Sequence, residues 1–96
     1  MSDYEIFLLP SAQRSLHRLP EKAATSIAEF LYSSLAANPR RLGKELKLDY
    51  WGNHSARRGD YRIVYRIDDE IRRVTVVLIE HRADAYRPRG SGGSGG

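Results

Sequence analysis

The clearest pattern of hydrophobic and polar positions lies in the second half of the chain, between residues 54 and 86. In Tyr61–Ile67 the odd positions are Tyr, Ile, Tyr and Ile, and the even positions between them are Arg, Val and Arg. A period of two places these sets on opposite faces of a β-strand. Arg73–His81 is richer in Val, Thr, Ile and Leu, which predicts a second and more buried strand.

Polar segments with turn-forming residues separate these strands. Asp68-Asp69-Glu70 has the composition of a hairpin connection, and Gly59-Asp60 marks a turn just before Tyr61. Ahead of that turn, Trp51–Arg57 is predicted as a further strand, and its irregular apolar pattern favours the edge of a sheet. The three segments together predict an antiparallel meander.

The beginning of the chain predicts a strand followed by a helix. Tyr4–Leu9 is short and apolar, and it ends at Pro10. Ser11 is a candidate N-cap for a short helix that continues through Arg18. A second helix is predicted from Pro20, which suits a first helical position, to about Ala37. Its apolar stripe consists of Ala24, Ile27, Ala28, Leu31 and Leu35.

The two helices form a hairpin whose apolar faces need the sheet as a partner. Between the helices and the meander, Arg40–Tyr50 is a basic loop with Leu42, Leu46 and Leu48 as expected anchors. The predicted fold is α+β, in the order β-α-α-β-β-β, with a short final helix near Ala83–Tyr86. Residues 1–89 form the predicted domain, and residues 90–96 are Gly/Ser only, typical of a disordered linker or engineered tail.

The net charge of +4 is unevenly distributed along the chain, which bears on the kind of partner that we expect. Up to Pro39 there are three Lys or Arg against four Asp or Glu, and from Arg40 onward there are thirteen against eight. This imbalance suits a polyanion or an acidic protein partner, although an Arg-rich solvated face would give the same count. The chain has no cysteine, no apolar run of membrane-spanning length and no visible signal peptide, so we expect a cytoplasmic protein without membrane contact.

A strand reading GDYRIVYRID, followed by a strand that ends in HRADAYR, resembles the RelE/ParE toxin superfamily, and within it the RelE branch. The resemblance covers Tyr4 to about Arg87. It implies the toxin of a type II toxin–antitoxin pair, a ribosome-dependent messenger-RNA endonuclease. Such enzymes are thought to let the 2′-hydroxyl attack the phosphate, which leaves a 2′,3′-cyclic phosphate. No cofactor is implied, and His17, His54 and His81 are spread over three elements, so no metal site is expected.

The resemblance also implies catalytic residues. Arg62 matches the arginine that stabilises the transition state, and its guanidinium can hold two phosphate oxygens; the alternative is a strand arginine on a solvated face. His81 is a candidate general acid, or an ordinary histidine at a strand end. Arg82 follows it and points to the opposite face if the strand continues. Tyr86 matches a tyrosine that stacks on a base or assists the chemistry, or it closes the core.

The general base has no assignment. The family prototype carries two lysines on the strand before its GYR motif, and an ungapped match puts Asn53 and Ser55 there. Glu45 or Asp49 could serve only if their loop folds inward. The residues expected to bind RNA are the nearby cations and one histidine, namely Lys44, Lys47, His54, Arg57 and Arg58.

Three functions therefore remain open. The first is the ribosome-dependent endonuclease, with the ribosome and messenger RNA as partners. The second is a ParE-like, non-enzymatic poison of DNA gyrase, and the third is an antitoxin-binding domain without toxicity. The HRxxxY ending favours the first, and the missing lysines favour the second. In each case the resemblance implies a cognate antitoxin, which would lay an acidic segment along the basic surface.

Overall fold

The segments with alternating side chains form one twisted sheet. A computed structural model describes residues 3–45 and 53–81 of the protein. The strands are β1 (Glu5–Leu8), β2 (Lys44–Glu45), β3 (His54–Arg58), β4 (Tyr61–Asp68) and β5 (Arg73–His81). Their order in the sheet is β1-β5-β4-β3-β2. The pairs β3–β4 and β4–β5 are antiparallel, which confirms the predicted meander, and β1 lies parallel to β5.

The helices connect β1 to the rest of the sheet. They are α1 (Pro10–Arg18) and α2 (Glu21–Glu29), and α2 continues as a π-helical segment, Phe30–Leu35. Both helices pack on one face of the mixed sheet, so the predicted α+β fold is confirmed. The order of elements is the predicted one, with β2 as an additional short strand. The predicted helix at Ala83–Tyr86 lies outside the described residues.

Two details of the helices correct the predictions. Ser11 is not the N-cap, because α1 already begins at Pro10, whose fixed φ suits the first helical position. The Ser11 hydroxyl instead donates to the Val77 carbonyl oxygen at 2.8 Å and ties α1 to β5. The second helix is not α-helical throughout, since its last turns are π-helical. Phe30, which the predicted stripe omitted, is buried together with Leu31.

The core lies between the helices and this face of the sheet. Its buried members are Leu8, Ala12, Ile27, Phe30, Leu31, Leu35, Ala56, Ile63, Tyr65, Val74, Val76 and Ile79. Tyr61 and Ile67 pack against the margin of this cluster, so the odd positions of β4 face the helices as the alternation predicts. Arg62 and Arg66 consequently lie on the opposite face of the sheet, which we call the open face because it points away from the helices. Val64 lies between them on this face and is fully buried.

The loop before β3 departs from its predicted arrangement. β3 is not the edge strand that was predicted, because Lys44 and Glu45 pair outside it with Ser55 and His54. Leu42 is not an anchor, since it is 39% exposed. The other two expected anchors, Leu46 and Leu48, lie outside the described residues.

Gly43 is the residue that brings this loop against the sheet. A side chain there would collide with the Tyr65 hydroxyl and the Ser55 carbonyl oxygen. The Tyr65 hydroxyl donates to the Pro39 carbonyl oxygen, and burial raises the pKa of Tyr65 to about 12. Glycine at position 43 is therefore required for the close approach of the loop to β3 and β4.

An irregularity in β5 decides which side chains reach the open face. Val64 pairs with Leu78, but the next residue, Tyr65, pairs with Val76, so Val77 is an extra residue in β5. Such a bulge shifts the alternation of faces by one position. Val74 and Val76 face the core before the bulge, and Ile79 faces it afterwards.

Candidate functional site

Three charged side chains form a row across the open face of the sheet. Arg57 of β3 is directly opposite Arg62 of β4, and Arg62 is directly opposite Glu80 of β5. Residues that pair directly across strands project from the same face. The neighbouring row, Ala56–Ile63–Ile79, belongs to the core on the helix side, so the charged row faces away from the helices.

An ion pair fixes the middle of this row. The Arg62 Nη2 donates to Glu80 Oε2 at 2.8 Å, and the exposed fractions of the two side chains are 30% and 7%. The Nε of Arg62 is buried and has no acceptor among the described residues. Burying a carboxylate is unfavourable unless it is paired with a cation. The ion pair with Arg62 therefore stabilises the buried Glu80 carboxylate.

Further cations border this row. Lys44 is exposed and lies opposite Ser55, on the same face as Arg57. Arg66 is exposed two positions beyond Val64 on the same face of β4. Arg73 contacts the Glu5 carboxylate at 3.2 Å, so its charge is partly neutralised. The open face therefore presents a predominantly cationic surface with its most buried charges at Arg62 and Glu80.

The predicted RNA-binding residues divide between the two faces. Arg57 and Lys44 lie on the open face, whereas Arg58 lies on the helix side, where its Nε donates to Ser26 Oγ at 3.3 Å and its guanidinium covers the Phe30 ring. Lys47 lies outside the described residues.

His54 also lies on the helix side. Its ring stacks on Tyr65 with 5.7 Å between the ring centroids, and its Nδ1 is buried without a partner in the described part of the chain. Burial lowers the pKa of His54, which favours the neutral imidazole. The structure therefore gives His54 a packing environment and does not place it beside Arg57 and Arg62.

The structure separates His81 from Arg62. His81 is opposite Tyr61, and the two rings meet edge to face with 5.2 Å between their centroids. Since Tyr61 belongs to the core-facing set of β4, His81 projects to the helix side and Arg62 to the open side. The two residues predicted to act on one phosphate are thus on opposite faces here. Arg82 and Tyr86 lie outside the described residues.

Glu80 is the member of the charged row that the sequence prediction did not select. The signal available in the sequence is a carboxylate that ends the apolar run VTVVLI, since a charge in a buried strand needs a partner. Its partner could not be identified from the sequence because the bulge at Val77 decides the face. No group of three or more potential metal ligands occurs within residues 3–45 and 53–81.

A second charged cluster lies at the other end of β4. Asp69 accepts a hydrogen bond from the Tyr4 hydroxyl at 2.6 Å and two bonds from the Arg40 guanidinium at 2.8 Å each. Arg72, which has a positive φ of 51°, covers the Tyr4 ring at 4.3 Å. The hydrogen bond from Arg40, followed by that from Tyr4, lowers the pKa of Asp69 to about 2. This cluster joins β1, the segment after the π-helix and the β4–β5 hairpin.

Comparisons with known proteins give a consistent result. Residues 6–86 match the family described as the ParE toxin of type II toxin–antitoxin systems. Toxin RelE of Mycobacterium tuberculosis is 50% identical over 91% of this chain and 93% of its own, and Toxin RelG of that organism is 43% identical over 88% and 97%. In the crystal structure of the toxin–antitoxin complex RelBE2 from the same organism, one chain superposes with a TM-score of 0.82 at 42% identity, covering 88% of this chain and 97% of that one. Within the described residues, no helix is long and apolar enough to cross a membrane.

Proposed function

The chain belongs to the RelE/ParE superfamily of type II toxin–antitoxin toxins, and from this premise we propose that it is a ribosome-dependent endonuclease that cleaves messenger RNA. The observation that carries this function is the row Arg57–Arg62–Glu80, which places two arginines directly opposite each other on the open face of the sheet. A relative that is 50% identical to this chain is named Toxin RelE, which supports the same function.

Arg62 is the proposed contact to the scissile phosphate. When the 2′-hydroxyl attacks the phosphorus, negative charge builds on the non-bridging oxygens, and a fixed cation stabilises that charge more than it stabilises the substrate. Arg62 is held by Glu80 and is 30% exposed, so it is both ordered and within reach of a ligand. Arg57 in the adjacent strand supplies the second cation.

The remaining roles are proposed from the resemblance. His81 is the candidate general acid, and Arg82 and Tyr86 are candidates for phosphate contact and base stacking. His81 lies on the helix side of the strand end, so it would protonate the leaving 5′-oxygen only if the RNA passes around the end of β5. Ribosomal RNA is proposed to help position the 2′-hydroxyl, because Ser55 on the open face offers no strong base.

The cationic face is also the proposed binding surface for the partners. Contacts of Lys44 and Arg57 with RNA phosphates would release counterions, so RNA binding should weaken steeply as salt rises. One chain of a toxin–antitoxin complex superposes on this protein. We therefore propose that a cognate antitoxin covers this face with an acidic segment in the bacterial cytoplasm.

A ParE-like gyrase poison is the second candidate. Ser55 and Asn53 stand where the RelE prototype has two lysines, and the matching family model is that of the ParE toxin. A binding protein without chemistry does not need a base on this strand. This alternative uses the same fold and the same antitoxin contact, and it differs in its cellular target.

The deciding experiment supplies purified protein to ribosomes programmed with a defined message and maps the new 5′ ends. Naked message and gyrase supercoiling are assayed in parallel with the same preparation. We expect cleavage of ribosome-bound message, much slower cleavage of naked message, and unchanged supercoiling. Equal cleavage of both RNA samples would contradict ribosome dependence, and inhibited supercoiling with intact message would establish the ParE-like alternative.

A further inference from the structure

Glu80 is the part of the charged row that phosphate binding does not explain. Its side chain is 7% exposed and lies on the face that carries Arg57 and Arg62. A carboxylate beside a phosphate site repels the ligand. The bulge at Val77 brings this carboxylate to the open face, where regular alternation would have turned it to the core.

We propose that Glu80 is a positioning residue that orients the Arg62 guanidinium for the phosphate, an inference that rests on the proposed ribonuclease function. The bond from Nη2 to Glu80 Oε2 fixes one corner of the guanidinium at 2.8 Å. Because the guanidinium is planar and rigid, fixing one corner also directs the remaining donors. The Arg62 Nε is buried, so the stem of the side chain is enclosed as well.

The neighbouring arginine is a further reason for such a support. Arg57 is directly opposite Arg62 in the adjacent strand, and like charges in that relation repel each other. Glu80 lies on the other side of Arg62 and offsets this repulsion through the ion pair of 2.8 Å.

A positioning role predicts opposite changes in binding and in rate. Removing the carboxylate makes the open face more positive by one charge, which strengthens the attraction for RNA. It also releases the Arg62 guanidinium, which slows the chemical step because the donor is no longer held where charge develops. A purely electrostatic role would raise both affinity and rate, so the two roles differ in the sign of the rate change.

The test measures single-turnover cleavage of programmed ribosomes by Glu80→Ala and Glu80→Gln. For Glu80→Ala we expect kcat to fall about 10- to 100-fold, as for other partners that orient a functional side chain, with KM unchanged or lower. Glu80→Gln should keep most of the wild-type kcat, because its amide oxygen can accept the same bond from Nη2. Glu70→Ala removes one negative charge from the exposed β4–β5 turn and should leave kcat unchanged.

Two results of this assay would overturn the positioning role. An unchanged or higher kcat in Glu80→Ala would show that Arg62 needs no support. Equal losses of kcat in Glu80→Ala and Glu80→Gln would show that the rate depends on the negative charge of the carboxylate or on its ability to accept a proton. The hydrogen bond that orients Arg62 would then not explain the effect.

A second measurement separates this inference from the proposed function and from loss of folding. Nuclear magnetic relaxation of the Arg62 Nε–H bond reports its mobility without RNA, with the exposed Arg66 as the internal reference. We expect a rigid Arg62 in the wild type and in Glu80→Gln, and a mobile one in Glu80→Ala. A wild-type Arg62 as mobile as Arg66 would refute the positioning role even if the RNA is cut. A rigid Arg62 in a protein that cuts no message would refute only the proposed function.

Discussion

Two arginine–carboxylate pairs occupy the opposite ends of β4, and their N–O distances are the same, 2.8 Å. The exposed fractions are 57% and 53% for Arg40 and Asp69, against 30% and 7% for Arg62 and Glu80. An exposed pair contributes little because water solvates the separated charges nearly as well. A buried carboxylate that loses its partner has no such alternative. The two pairs have equal N–O distances, but the buried Glu80 is stabilised more by its arginine than the exposed Asp69 is by Arg40.

The two ends also differ in what surrounds the charges. Asp69 is saturated by Arg40 and the Tyr4 hydroxyl, and it connects three segments that are distant in the chain. At the other end, Arg62 lies beside a second arginine on an open face. The Asp69 end is thus a structural connection, and the Arg62 end is a cationic site that an anion can approach.

The largest expected effect concerns cleavage at the Arg62 end. Arg62→Ala should slow cleavage of ribosome-bound message by about two to three orders of magnitude, the usual loss for one transition-state donor. Arg62→Lys should restore part of the rate, because an ammonium cannot reproduce the planar fork. The readout is the single-turnover rate on programmed ribosomes.

Arg66→Ala is the matched control, since Arg66 lies on the same face of β4 and is exposed. It should retain most of the cleavage rate. An equal loss in both alanine variants would mean that the open face contributes only general positive charge.

The next effect concerns stability and compares Arg62→Ala with Arg40→Ala. Arg62→Ala removes the 2.8 Å ion pair of the buried Glu80, so we expect the free energy of unfolding to fall by about 1–3 kcal/mol. This loss of stability exceeds that expected for an arginine on a solvated face, because the Arg62 Nε and the Glu80 side chain are buried. Arg40→Ala should cost less, and urea denaturation of both variants gives the comparison. A larger loss in Arg40→Ala would reverse the ranking.

A smaller effect is the pH dependence at the Asp69 end. The pKa of Asp69 is lowered to about 2 in the folded protein, against about 3.9 in an unfolded chain. The contribution of the charged carboxylate is therefore complete above about pH 4 and is lost as pH falls towards 2. Thermal melting of the wild type and Asp69→Asn should differ by a constant amount above that range, and the difference should shrink below it. A difference that persists at the acidic end would assign the effect to another group.

The smallest effect is that of salt on the two pairs. Double-mutant cycles in which both partners are replaced by alanine measure the coupling energy of each pair. Added NaCl should reduce the coupling of Arg40 with Asp69 more than that of Arg62 with Glu80, since the second pair is more buried. The same salt dependence at both ends would mean that burial does not shield the Arg62 pair.

Local rules predicted most of the fold and part of the site. The turn at Gly59-Asp60 and the faces of β4 follow from composition and a period of two, and the structure confirms them. The hairpin turn was predicted at Asp68-Asp69-Glu70, whereas β4 includes Asp68 and the turn comprises residues 69–72. The predicted N-cap at Ser11 was wrong because Pro10 starts the helix one residue earlier. Glu80 was missed because its partner lies 18 positions away in sequence.

The sequence by itself determined which face of β4 carries Arg62, because side chains on a strand alternate through bond geometry alone and this strand is apolar at every odd position. Only the tertiary structure decided the faces of Glu80 and His81. The run VTVVLI that precedes them is apolar at nearly every position, so alternation leaves no signal of register there. The extra residue at Val77 shifts the pairing with β4, turning Glu80 towards Arg62 and His81 towards Tyr61. Cross-strand pairing, which no local pattern encodes, therefore assembled the charged row.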